Sequence, residues 1–170
     1  MRNKIIILLT LMLSACTSMP EQVAPVTPFD LQKYTGTWYE IARMPHSFEE
    51  GLSKVTATYS INEDGTVKVL NKGFDAQQGQ WSSAEGKAKF VGSDNVGHLQ
   101  VSFFGPFYSS YVIFKLDQQG YQYAYISGYN TDYAWLLART PEVEQALIDD
   151  FKQELSQRGF ASDKLIIVEQ

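Results

Sequence analysis

Beyond residue 55 the apolar positions of this 170-residue chain recur at every second place, and turn-forming residues interrupt them roughly every ten. That spacing predicts an antiparallel meander, not strands interleaved with helices. Val55, Ala57, Tyr59 and Ile61 mark the clearest run, Glu63-Asp64-Gly65 supplies a turn, and residues 66–71 return. Asp-Gly between two such runs is a strong hairpin signal. Further runs cover residues 86–91, 99–104, 111–116, 122–127 and 133–139, separated by turn material such as Ser93-Asp94-Asn95 and Asp117-Gln118-Gln119-Gly120. With residues 38–43 in front, eight strands are expected. One stretch has another period: Thr140 can cap, Pro141 suits a first helical position, and Val143, Ala146, Leu147, Phe151 and Leu155 recur at helical spacing until Gly159. A single amphipathic helix should therefore follow the meander, with residues 165–168 as a short last strand.

Eight consecutive antiparallel strands leave two long unpaired edges unless the sheet closes on itself. The expected fold is thus all-β, an eight-stranded antiparallel up-and-down barrel with one C-terminal α-helix, whose interior holds packed side chains or one small ligand. A membrane-spanning barrel needs an apolar outer face. Here Lys68, Lys72, Lys87, Lys89 and Gln100 fall on the alternate face of the strands, which argues against it.

The first fifteen residues stand apart. Arg2 and Lys4 precede the apolar run 5–13, which is the pattern of a signal peptide; the run is well short of the about 20 residues a spanning helix needs. It leads into Cys16, the sole cysteine, so no intramolecular disulfide can form. Leu13-Ser14-Ala15-Cys16 resembles the lipobox of bacterial lipoproteins. That resemblance implies cleavage before Cys16 and acyl chains on its thiol and amino group, two of which suffice for stable membrane attachment. Thr17, where lipoproteins retained at the inner membrane resemble an Asp pattern, implies the outer membrane, with the protein facing the periplasm. Pro20, Pro25 and Pro28 among small polar residues read as an extended tether. The expected organisation is signal peptide 1–15, acylated tether 16–28 and barrel domain 29–170.

Three motifs carry a second resemblance. Gly36-Thr37-Trp38 opens the first strand, Thr131-Asp132-Tyr133 precedes the eighth, and Arg139 closes it. In this order around eight strands and a helix they resemble the lipocalins, and behind a lipobox they resemble the bacterial outer-membrane lipoprotein branch. The resemblance implies that Trp38 plugs the closed end and that Arg139 lies over its indole. It also places Trp38 inside, which sets the phase of the strands. The inward set is then Ala57, Tyr59, Val67, Val69, Asn71, Ala88, Phe90, Leu99, Val101, Phe103, Tyr111, Ile113, Tyr133, Trp135 and Leu137. From it Ala57, Tyr59, Val69, Asn71, Val101, Phe103, Tyr111 and Trp135 are the candidate ligand contacts. So apolar a wall favours a fatty acid or lysophospholipid, each buried CH₂ contributing about 0.8 kcal/mol. His46 reads as a solvated loop residue, Phe48 as part of a lid, and His98 as a surface residue.

Composition narrows the function further. Ten Tyr, ten Phe and three Trp support the β reading. A net charge of −5 without a Lys/Arg run argues against nucleic acid as a partner. Two histidines, no second cysteine and no Gly-X-Ser-X-Gly leave little for catalysis or metal binding, so neither enzyme activity nor a cofactor is expected. The competing reading is a non-catalytic envelope lipoprotein acting through protein contacts, and a homodimer is left open.

Overall fold

The computed structural model describes residues 17–170; the leader and Cys16 lie outside them. A four-residue helix α1 (Leu31–Tyr34) precedes β1 (Gly36–Arg43). A 3₁₀ turn (Ser47–Glu49) then leads to β2 (Leu52–Ile61), β3 (Val67–Asp75), β4 (Gln80–Phe90), β5 (His98–Phe104), β6 (Phe107–Leu116), β7 (Tyr123–Ser127) and β8 (Ala134–Ala138). Helix α2 (Gln145–Gln157) and the two-residue β9 (Ile166–Ile167) complete the order. Each strand pairs antiparallel with the next, and β1 pairs with both β8 and β2, closing an eight-stranded barrel. β9 joins the far side of β1 beyond a bulge.

Backbone pairing runs further than the alternation that announces it. Residues 80–85 of β4 are exposed on both faces, so no period-two signal marks them, yet Gly73 faces Ser82 and Phe74 faces Trp81 in an unbroken ladder. These are the upper walls of an open cup, where neither face has to be apolar. Helix α2 begins at Gln145, not near Pro141. The Thr140 hydroxyl donates to the Glu142 carbonyl, holding residues 140–144 in a connecting turn, and Glu144 occupies the cap position. Four-residue α1 is too short to have a period. It forms because the Asp30 carboxylate accepts from the Gln32 and Lys33 amides.

The segment before α1 also differs from expectation. Residues 17–28 make a turn in which Val23 N–H donates to the Pro20 carbonyl, and from Val26 on the segment is strapped to the barrel. Val26 N–H donates to the Ile113 carbonyl (2.8 Å), Gly97 N–H to the Val26 carbonyl (2.9 Å), and Phe29 N–H to the Asn95 carbonyl (2.8 Å). A Cβ on Gly97 would lie 2.9 Å from Val26 Cγ2, so the strap's closeness requires glycine there. Pro-rich composition signals extension and says nothing of docking. Two apolar cores result: one fills the lower barrel around Trp38, and the other joins the outer wall to Phe151, Leu155 and the strap residue Val23.

Candidate ligand cavity

Strand direction separates two ends. Gly36 of β1 starts at the lower end, and the turns 62–66, 91–97 and 117–122 lie there with α1; the loops 44–51, 76–79, 105–106 and 128–133 surround the other end. At the lower end Trp38 is fully buried, and its Nε1–H donates to the Tyr34 carbonyl (2.8 Å). The Arg139 guanidinium carbon lies 3.9 Å from the centre of the indole. The same guanidinium donates to the carbonyls of Lys33 (2.8 Å), Thr35 (2.9 Å), Thr37 (3.0 Å) and Tyr121 (3.3 Å). Tyr34 stacks on the inner side of Trp38, ring centres 4.8 Å apart.

Above this floor opens a cavity of about 570 Å³, a size suited to one extended hydrocarbon ligand. Ala57, Tyr59, Val69, Asn71, Val101, Phe103, Tyr111 and Trp135 all line it, as do Val67, Ala88, Leu99, Tyr133 and Leu137. Phe90 and Ile113 do not. Ile113 is fully buried in the lower core, and Phe90 packs edge-on against Phe29, 6.1 Å between centres; the strap and α1 cap the barrel there and convert wall into core. Phe29, Leu31 and Tyr34 consequently line the floor, which alternation along the strands could not reveal. Motif residues Thr131 and Asp132 sit in the β7–β8 loop at the mouth, where the Asp132 N–H is held by the Asn130 side chain.

Two polar groupings interrupt the apolar wall. Deep inside, the hydroxyls of Tyr34 and Tyr59 each lie beside that of Tyr111. Burial raises the pKa of all three, so they are neutral phenols. Nearer the mouth, Arg43 donates to Glu40 Oε1 (2.8 Å) and to the Glu49 carbonyl (2.7 Å). Glu49 Oε2 in turn meets His46 Nε2 (2.8 Å) and accepts from Trp135 Nε1 (3.1 Å). Burial, then repulsion from Glu49, pushes the Glu40 carboxyl well above its ordinary pKa, against the pull of Arg43. Burial would raise Glu49 too, but the contacts from His46, Trp135 and Arg43 outweigh it and hold its pKa low.

His46 is therefore no solvated loop residue: its side chain is 4% exposed, held by Glu49 and stacked under Phe48 at 3.8 Å. His98 is likewise no surface residue. It starts β5 opposite Val112 against the outer core, and burial lowers its pKa. Glu40 carries a sequence signal of its own: it shares the phase of Trp38, so a charge two residues along points inward. The bulge after Glu40 then turns Arg43 to the same side, opposite Trp135. At the rim Phe48, Trp81, Phe104, Phe107 and Tyr129 are exposed, Phe104 by 83%.

Comparison with known proteins places this geometry. The lipocalin-like domain family matches residues 29–170. The outer membrane lipoprotein Blc of Vibrio cholerae is 52% identical over 170 residues, covering 100% of this chain and 99% of that protein. Its namesake in Escherichia coli K12 is 46% identical over 162 residues, covering 92% and 89%. Among solved structures, insecticyanin from the tobacco hornworm superposes with a TM-score of 0.70 at 21% identity, covering 89% of this chain and 86% of that one. At that identity the likeness concerns the fold alone.

Proposed function

The chain belongs to the lipocalin family, and on that premise we propose that it binds a fatty acid or lysophospholipid in its barrel and stores or moves it at the outer membrane. The observation that carries this reading is the 570 Å³ cavity walled by aliphatic and aromatic side chains, open at one end. In this reading the acyl chain lies along Trp135 and Tyr111, and an anionic head stays at the rim, away from Glu40 and Glu49. Acyl chains on Cys16 hold the carrier beside its lipid source, facing the periplasm, in keeping with relatives named outer membrane lipoproteins. Maintenance of envelope lipid is the role this serves.

Displacement of a fluorescent fatty acid from protein lacking residues 1–16 tests the cavity. Trp135→Ala should weaken binding by about 1 to 3 kcal/mol through lost apolar contact. Val101→Glu should do more harm, because the carboxylate must be buried or draw in water. Unchanged affinity in both folded variants would place the lipid elsewhere, and no acyl binding by the unsubstituted protein would leave a lipoprotein that works through protein contacts. For the anchor, Cys16→Ser should yield unprocessed or soluble protein on membrane fractionation. A processed variant that still floats with outer-membrane vesicles would refute lipidation at Cys16.

A further inference from the structure

Three phenol hydroxyls lie in a row above Trp38: Tyr34 Oη is 2.7 Å and Tyr59 Oη 2.8 Å from Tyr111 Oη. Three hydroxyls carry three protons, and two contacts use two of them. Whichever way the protons point, one O–H donor is left without a partner among the described residues. A second unanswered group faces the same space. The Asn71 amide oxygen is buried and accepts no hydrogen bond among the described residues. Asn71 pairs with Ala57 and Val69 with Tyr59, so Asn71 is the diagonal neighbour of Tyr59 on the inner wall. A spare donor within a cluster that includes Tyr59, and a spare acceptor on the strand beside it, thus face the same cavity.

The chemistry of the ligand that answers them follows by elimination. An alkyl end leaves both groups unpaired, which buried polar groups resist. A carboxylate can accept from the tyrosine but has nothing to donate to Asn71. A hydroxyl does both at once. We propose that the deep end of the cavity is a subsite for a ligand hydroxyl, so that the preferred cargo is an apolar chain carrying a hydroxyl at the end that enters first. This rests on the acyl-ligand reading above and narrows its ligand class.

The test is a pair of competitors, hexadecanoic acid and 16-hydroxyhexadecanoic acid, each displacing the fluorescent fatty acid. Against a wholly apolar floor the added hydroxyl would weaken binding by about tenfold or more; here the hydroxy acid should bind at least as tightly as the plain acid. Replacing Tyr34, Tyr59 and Tyr111 together by Phe removes every donor and keeps the rings, and should reverse the order, with the plain acid ahead by about tenfold. Asn71→Leu, a single change that carries the test if the triple variant does not fold, should lower affinity for the hydroxy acid about fivefold more than for the plain one. A plain acid that outcompetes the hydroxy acid on the unsubstituted protein overturns the subsite and leaves the acyl-carrier reading intact. So does an order that none of these substitutions alters. If neither acid displaces the probe, the carrier reading itself fails and the subsite falls with it.

Discussion

The two ends of the barrel use charge in opposite ways. At the closed end Arg139 meets an indole face and neutral carbonyls, and Trp38 spends its one donor on the Tyr34 backbone. At the open end Arg43 meets a carboxylate, a second carboxylate lies within reach, and His46 and Trp135 hold that second one. Every partner at the closed end keeps its charge across the ordinary pH range, so that end is fixed by geometry. The open end holds Glu40, Arg43, His46 and Glu49 out of water, and there the pKa of Glu40 is pushed up by burial and by Glu49 while the contacts of Glu49 hold its own low. One end is a plug, and the other is a mouth whose electrostatics respond to conditions.

The plug can be broken most severely through Trp38. Trp38→Ala should cost about 3 to 5 kcal/mol as a large-to-small core change, read from urea midpoints, with little effect on ligand preference. A variant of normal stability that had selectively lost lipid binding would make Trp38 a ligand contact and erase the distinction between the ends.

Arg139→Ala should cost less, about 2 to 3 kcal/mol, because the carbonyls it leaves are near the surface and water can reach some of them. Arg139→Lys should recover only part of this, since an ammonium cannot span acceptors on Lys33, Thr35, Thr37 and Tyr121 while covering an indole. Full recovery by Lys would mean that charge alone matters at the plug.

How far each end was legible follows from the same contrast. The plug was readable because its parts are rare residues at motif positions, Trp38 and Arg139, and because strand phase is a local property that carries Ala57, Tyr59, Val69 and Val101 to the inner wall. The mouth was not, for two reasons. His46 and Glu49 owe their burial to a loop that folds over the rim, which no periodicity encodes. Arg43 faces inward through a bulge, and a bulge reverses the phase on which the reading depends. The strap and α1 escaped for a related reason: their contacts join residues such as Val26 and Ile113, far apart in the chain, with no local signal at either partner.

The finest test of the contrast is the proton inventory of the mouth, through Glu40→Gln. Glu40 is buried first by its neighbours and then opposed by Glu49, so its folded pKa stands above the ordinary value of 4.5. A group that holds its proton more tightly when folded contributes stability fully below that ordinary value, and the contribution is lost as pH rises through the folded pKa. Gln keeps the size and an oxygen for Arg43 but removes the titration. The stability of Glu40→Gln relative to the unsubstituted protein should therefore climb as pH rises above 4.5, by less than either plug variant loses, because Arg43 already offsets part of the penalty. Urea midpoints from about pH 4 to pH 9 measure the difference, with Arg139→Ala carried through the same series. The deficit of Arg139→Ala should stay level over that range, since none of the groups it contacts changes charge. A level difference for Glu40→Gln as well would mean that Glu40 has the same pKa folded and unfolded, and the pH response assigned to the mouth would then have no source in that carboxyl.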